Sequence, residues 1–119
     1  MENLEFRIVW ESLPFAYLFY SRLLTHKKNM VIVVYDIPDD KRRTKLSNFL
    51  EGYGRRVQFS VFECFITLDE MRQLHPKVKK FVLPAEDNVR FYWMFAEAMS
   101  MTLTIGSEKP APPPNFYVI

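Results

Sequence analysis

Residues 30–37 most constrain the fold, because they read Met-Val-Ile-Val-Val-Tyr-Asp-Ile and are followed by Pro38. A nearly continuous run of β-branched side chains predicts a central strand, and a proline cannot continue it. Asp36 stands at the end of this run, where a strand passes into a helix and where α/β-type sheets place their binding sites. A lone carboxylate in that place indicates chemistry at the strand end.

A basic helix is predicted directly after this strand. Asp39 or Asp40 suits its N-cap, and two glycines end it. Its apolar side chains recur at helical spacing and are Leu46, Phe49, Leu50 and Tyr53. At about 100° per residue, Arg42 and Arg43 flank that apolar stripe. Both arginines are therefore expected near the sheet edge where Asp36 emerges.

The rest of the chain continues to alternate between strand and helix patterns. Residues 56–67 alternate in polarity, which fits either one long strand or a tight hairpin. Thr67 and Glu70 have the spacing of a capping box that opens a second helix. The apolar face of that helix is predicted to contain Met71, Leu74, Val78, Phe81 and Val82. Another strand is predicted at 89–95, and one more at 101–105.

The order β-α-β(β)-α-β predicts an α+β fold, a ferredoxin-like βαββαβ antiparallel sheet with two helices on one face, plus C-terminal strands. Residues 30–105 form the predicted domain. Residues 1–29 differ in character and are interpreted as an N-terminal extension, either codons upstream of a native start at Met30 or a docking helix. Residues 106–119 form a proline-rich linker and a tail strand that suits pairing with another sheet edge.

Composition and charge exclude several classes of protein. A net charge of +2 gives no molecule-wide field, so any nucleic-acid binding must come from local patches. A single cysteine, Cys64, excludes an internal disulfide framework and a multi-cysteine zinc site, and it fits a reducing cytoplasm. The apolar stretch 13–24 is too short and too interrupted for a membrane span. An aromatic content of 16% fits either a rich core or a surface that faces a partner chain.

Asp36 is the candidate metal ligand. A carboxylate on a rigid strand end suits Mg²⁺, which takes one or two carboxylates together with waters and phosphate oxygens. The alternative is a turn or capping aspartate, although Asp39 and Asp40 already fill that role. One carboxylate is a weak site, so a dimer that brings two copies of Asp36 together favours the metal interpretation.

Basic and aromatic residues near Asp36 are candidates for nucleic-acid contacts. Those for the phosphates are Arg42, Arg43, Lys45, Arg55 and Arg56. Tyr35 and Phe62 are candidate stacking surfaces. A second basic cluster consists of Lys77, Lys79 and Lys80. It suits sequence-independent contact with DNA, and a plain solvated helix face explains it equally well.

Several of these segments together resemble the CRISPR-associated endoribonuclease family, the smaller of the two universal adaptation proteins. The segments are Val34-Tyr-Asp-Ile37, Asp40-Lys-Arg-Arg-Thr-Lys-Leu46, Gly54 and Arg56-Val-Gln-Phe-Ser-Val-Phe-Glu63. The resemblance covers about residues 30 to 105 in order. Residues 1–29 depart from it, because family members usually start just before the first strand.

The resemblance implies a ferredoxin-like homodimer in which the two copies of Asp36 face each other across a cleft and bind Mg²⁺. By position it implies Tyr35 and Asp36 at the metal, Arg43 and Arg56 at the substrate backbone, and Ser60 and Phe62 at the cleft. It also implies metal-dependent cleavage of phosphodiester bonds in single-stranded RNA or duplex DNA, in spacer acquisition with the integrase subunit.

Two alternatives to a nuclease stay open. In this family the dimer can instead act as a non-catalytic bridge that holds duplex DNA between two integrase dimers. A small-molecule regulatory dimer of the same topology is the other, although the sequence has no polar pocket signature for it.

Overall fold

The computed structural model describes residues 26–113. Its strands are β1 (Asn29–Asp36), β2 (Arg55–Gln58), β3 (Val61–Ile66) and β4 (Asn88–Met94). Its α-helices are α1 (Asp40–Leu50) and α2 (Leu68–Lys79), and a 3₁₀ helix spans Ala96–Met99. Among these residues, no helix is both long and apolar enough to cross a membrane.

The strands form one antiparallel sheet in the order β2-β3-β1-β4, which confirms the predicted ferredoxin-like α+β fold. Strand β1 is central, as its composition predicts, and pairs with β3 on one side and β4 on the other. Alternate residues of β1 and β3 face the two helices and form the core with them. The core consists of Val31, Val33, Tyr35, Ile37, Leu46, Leu50, Phe62, Cys64, Ile66, Leu74 and Val78.

The N-terminal ends of both helices follow the predicted chemistry, whereas α2 ends at Lys79, before the predicted face residues Phe81 and Val82. Asp39 is the N-cap of α1, and its carboxylate accepts a hydrogen bond of 2.9 Å from the backbone N–H of Arg42. The capping box of α2 is complete, because the Thr67 hydroxyl accepts from the Glu70 N–H at 3.0 Å and the Glu70 carboxylate accepts from the Thr67 N–H at 2.8 Å. Pro76 lies within α2 on its exposed side.

The structure decides between the two patterns left open for residues 56–67, which form the β2–β3 hairpin. Gly54 allows the start of β2 to lie close against β3. A Cβ atom at this position would lie 2.4 Å from the carbonyl oxygen of Glu63 and 2.6 Å from the Cys64 sulfur. Any side chain at Gly54 would therefore push the start of β2 away from β3.

One predicted strand is wrong. Residues 101–105 form turn and irregular structure, and the side chains of Leu103 and Ile105 are fully or almost fully exposed. Apolar alternation alone does not make a strand, since the backbone also needs a neighbour to pair with, and none of the described strands pairs with this segment.

The predicted ends of the domain have different outcomes. The boundary after residue 29 falls inside β1, because Asn29 is fully buried and its side-chain oxygen accepts from the Ala96 N–H at 2.7 Å. Most of the N-terminal extension and the tail strand at 116–119 lie outside the described residues.

Candidate nucleic-acid interface

Asp36 is the last residue of β1, and its side chain is exposed. It stands opposite Asn88, the first residue of β4. Within residues 26–113 its carboxylate takes part in no hydrogen bond or ion pair. The two nearby aspartates have other partners, since Asp39 caps α1 and Asp40 pairs with Arg43. Asp36 is therefore left with a free carboxylate at the rim of the sheet.

The β2–β3 turn lies against the same end of β1. The Tyr35 N–H donates to the Ser60 carbonyl at 3.1 Å, and the Tyr35 hydroxyl donates to the Phe59 carbonyl at 3.5 Å. Ser60 is half-buried and contributes its backbone oxygen to this contact. The turn is thus fastened to the residue that precedes Asp36.

Two arginines come together at this turn. Arg56 donates from Nε and Nη2 to the Phe59 carbonyl, at 3.2 and 3.0 Å. Arg43 donates from Nη1 to the Ile37 carbonyl at 2.8 Å and forms an ion pair with Asp40. The guanidinium carbon of each arginine lies 5.4 Å from the centre of the Phe59 ring. We call Asp36, Arg43, Arg56 and Phe59 the strand-end cluster.

Phe59 is the residue that the sequence did not single out. Its position in the alternating run 56–67 makes it look like an ordinary apolar strand residue, but it lies in the turn and is 67% exposed. The sequence signal that could have found Phe59 is its position three residues after Arg56, in a segment that contains no turn glycine or proline. Its contact with Arg43 joins residues 16 positions apart (59 − 43), so only the tertiary structure reveals it.

Two predicted stacking surfaces are wrong. Tyr35 is 3% exposed and Phe62 is 0% exposed, and both rings belong to the core. A nucleobase cannot reach either face without opening the sheet. Neighbouring residues of a strand point to opposite faces, so Tyr35 points to the core while Asp36 points away from it. Phe62 of β3 lies in the same core.

Arg42 has a different position from its neighbour Arg43. It donates to both carboxylate oxygens of Asp87, at 2.8 and 3.0 Å, and reaches Glu86 at 3.2 Å. The hydrogen bonds that Arg42 donates to the Asp87 carboxylate lower the pKa of Asp87 and raise the pKa of Arg42. Asp87 also accepts from the Leu83 N–H at 2.8 Å. Arg42 thus fastens α1 to the turn before β4, and its charge is already neutralised.

The lysine cluster, which consists of Lys77, Lys79 and Lys80, is exposed at the end of α2. Lys77 donates to the Tyr53 hydroxyl at 3.3 Å, and its ammonium lies 5.9 Å from the centre of that ring. None of the three lysines forms an ion pair within residues 26–113. Their charges therefore remain available to a polyanion.

Cys64 is a core residue. Its side chain is completely buried, and burial raises the pKa of its thiol to about 12, with a smaller contribution from Glu63. A thiol in this state is not a nucleophile at neutral pH.

The described residues of one protomer supply too few ligands to bind a metal ion by themselves. No group of three or more His, Cys, Asp or Glu side chains that could hold a metal occurs within residues 26–113. A single exposed carboxylate such as Asp36 fits Mg²⁺ only if a second carboxylate, waters or phosphate oxygens complete the coordination sphere. The residues present are compatible with that ion when another copy of the chain supplies a second Asp36.

Comparison with known proteins gives a consistent family. Residues 29–102 match the family model described as CRISPR associated protein Cas2. The chain is 36% identical over 90 residues to CRISPR-associated endoribonuclease Cas2 3 of Synechocystis sp., an alignment that covers 76% of this chain and 98% of the relative. It is 38% identical over 78 residues to CRISPR-associated endoribonuclease Cas2 of Thermus thermophilus, covering 66% of this chain and 83% of that one.

Solved structures of similar proteins share the fold. The crystal structure of Streptococcus pyogenes Cas2 superimposes with a TM-score of 0.58 at 30% identity, covering 65% of this chain and 99% of that one. A chain of a partial Cas6-RT-Cas1–Cas2 complex superimposes with a TM-score of 0.61 at 36% identity, covering 77% of this chain and 99% of that one.

Proposed function

The chain belongs to the CRISPR associated protein Cas2 family, and from that premise we propose that it is a metal-dependent endonuclease of CRISPR adaptation. The substrate is a phosphodiester bond of single-stranded RNA, and also of duplex DNA. Relatives with 36% and 38% identity are named endoribonucleases, which supports nuclease activity. A structural neighbour is part of a complex with Cas1, which supports action together with the integrase subunit.

The observation that carries the proposal is the free carboxylate of Asp36 beside two positioned guanidiniums. Arg43 and Arg56 each have five N–H donors, and their contacts with the Ile37 and Phe59 carbonyls, together with the ion pair of Arg43 with the exposed Asp40, leave others free. Guanidiniums bind phosphate oxygens with paired hydrogen bonds. A nucleic-acid backbone held there lies next to the strand end that carries Asp36.

In the proposed homodimer, Asp36 of each protomer would be a ligand for Mg²⁺. When bound, that ion supplies Lewis-acid chemistry to the scissile phosphate. Asp36 keeps the site at a fixed place because β1 is central in the sheet. Arg43 and Arg56 hold the phosphate and offset the negative charge that develops on its oxygens during cleavage. Tyr35 and Ser60 position the turn whose Phe59 carbonyl holds Arg56, rather than contact the substrate.

A second candidate function is a non-catalytic, dimeric DNA-binding scaffold in the adaptation complex. The lysine cluster favours it, because three unpaired cations at a helix end suit contact with duplex DNA whatever its sequence. A scaffold needs the cations and the dimer but not the Asp36 carboxylate.

The test compares the full-length wild type with Asp36→Asn on single-stranded RNA and duplex DNA, with Mg²⁺ or with EDTA. Asp69→Asn is the matched control, because Asp69 is a half-exposed aspartate on α2, an element that contributes no residue to the strand-end cluster. For a nuclease we expect cleavage only with Mg²⁺, a loss of at least about 100-fold in Asp36→Asn, and no loss in Asp69→Asn.

The two functions give different outcomes in this test. Cleavage that survives both EDTA and Asp36→Asn contradicts the nuclease proposal. Absence of cleavage by every protein, with duplex DNA still bound by wild type and Asp36→Asn alike, favours the scaffold.

A further inference from the structure

Phe59 is an exposed aromatic residue that nevertheless has specific partners. Its ring is 67% exposed, so it contributes little to the core. Yet its carbonyl and its ring each have specific partners, since the carbonyl accepts two N–H bonds from Arg56 and the ring lies 5.4 Å from both guanidinium carbons. The hydrophobic effect does not explain an aromatic side chain in this place.

The geometry suits cation–π attraction. A guanidinium within about 6 Å of an aromatic centroid is attracted by the negative face of the ring, and Arg43 and Arg56 both meet that distance. Both guanidiniums are positively charged, and the same ring attracts each of them. The ring is also the contact between Arg43, which lies on α1, and the β2–β3 turn.

We infer that Phe59 is a positioning residue, which holds Arg43 and Arg56 side by side at the Asp36 end of β1 so that both meet the same stretch of phosphate backbone. The inference deepens the proposed function and rests on it. Arg56 is fixed by the backbone carbonyl of Phe59, which any residue supplies, whereas Arg43 reaches the turn through the aromatic ring. The Ile37 carbonyl and Asp40 hold the Arg43 guanidinium from the α1 side, and the side chain at position 59 adds the contact that brings it to the turn.

The test uses two substitutions in the full-length protein. Phe59→Tyr keeps the aromatic face, and Phe59→Leu keeps an apolar side chain without it. Val57→Ala is the control for loss of exposed apolar surface on the same hairpin, since Val57 is 38% exposed and lies in β2. The first readout is the dissociation constant for a labelled single-stranded RNA of mixed sequence, and for a duplex DNA, at fixed salt.

We expect Phe59→Leu to weaken binding roughly 5- to 30-fold, because two exposed cation–π contacts are lost. Phe59→Tyr and Val57→Ala stay within about twofold of wild type. If the role of Phe59 were purely apolar, Phe59→Leu would bind as tightly as wild type and more tightly than Phe59→Tyr. Equal affinity of Phe59→Leu and wild type, or equal weakening by Leu and Tyr, overturns the inference.

The second readout needs no nucleic acid. NMR order parameters of the arginine Nε–H groups report side-chain mobility. We expect the Arg43 order parameter to be lower in Phe59→Leu than in wild type and Phe59→Tyr, where the ring adds to the contacts with Ile37 and Asp40, while Arg42, held by Asp87, stays equally ordered in all three. If the wild type neither binds nor cleaves nucleic acid, the proposed function fails. Arg43 mobility still decides whether Phe59 positions it, and Arg43 equally ordered in Phe59→Leu refutes that.

Discussion

The arginines of the strand-end cluster and the lysines at the end of α2 differ in how the fold holds them. Arg43 and Arg56 donate to backbone carbonyls at 2.8 to 3.2 Å and share an aromatic ring. The lysines are exposed, and the described contact among them is that of Lys77 with Tyr53. Fixed guanidiniums select a geometry, whereas mobile ammonium groups supply charge. Positive charge thus serves positioning in one region and attraction in the other.

Removal of the arginines should have the largest effect on binding. We expect the double variant Arg43→Gln/Arg56→Gln to weaken RNA and duplex binding about 10- to 100-fold, because charge-assisted paired hydrogen bonds to phosphate are lost. A lysine at position 56 (Arg56→Lys) should restore little of the lost affinity. An ammonium group cannot both hold the Phe59 carbonyl and present a planar fork to phosphate. Fluorescence anisotropy at fixed salt measures both. Full recovery by lysine would show that charge alone matters here.

Removal of the lysines should have a smaller effect that depends on salt. For Lys77→Gln/Lys79→Gln/Lys80→Gln we expect roughly three- to tenfold weaker duplex binding, with a slope of log K against log salt that is shallower by about one to three. The loss should be the same for unrelated DNA sequences. Arg72→Gln, a change at an exposed cation already paired with Asp69 on α2, is the control. An unchanged slope would mean that this surface does not meet phosphate.

Arg42 tests whether a cation next to the strand-end cluster is part of it. Because its guanidinium is neutralised by Asp87, we expect Arg42→Met to change affinity less than about twofold. It should instead lower the free energy of unfolding, since Asp87, whose side chain is 0% exposed, loses its partner. Urea denaturation measures the second effect. A large loss of affinity in a variant of unchanged stability would place Arg42 at the substrate.

The same ion pair predicts a small dependence of stability on pH. Arg42 lowers the pKa of Asp87 in the folded state. The unfolded chain therefore takes up the proton first on acidification, and the pair stabilises the fold fully only above the unfolded carboxyl pKa, about 4. That stabilisation is lost as the pH falls through the lower folded pKa. We expect the melting temperatures of wild type and Asp87→Asn to differ at pH 7 and to converge toward pH 2.

Much of the fold could be predicted from the sequence because its signals are local. The β-branched run of β1, the Asp39 cap and the Thr67–Glu70 capping box each depend on residues a few positions apart. The hairpin could not be decided, since the same alternation serves one strand or two. The strand predicted at 101–105 failed because strand formation depends on a pairing partner elsewhere in space.

The candidate site, like the fold, could be predicted from the sequence only where its features are local. The sequence by itself determined that Asp36 ends a central strand and that cations follow it, because both depend on order along the chain. Only the tertiary structure decided that Arg42 is neutralised by Asp87 while Arg43 meets Arg56 at Phe59. Ion pairs and ring contacts join residues from different elements, so their partners are set by how helices and hairpins pack against the sheet. Sequence spacing carries no record of that packing, which is why two adjacent arginines with the same local pattern have different roles.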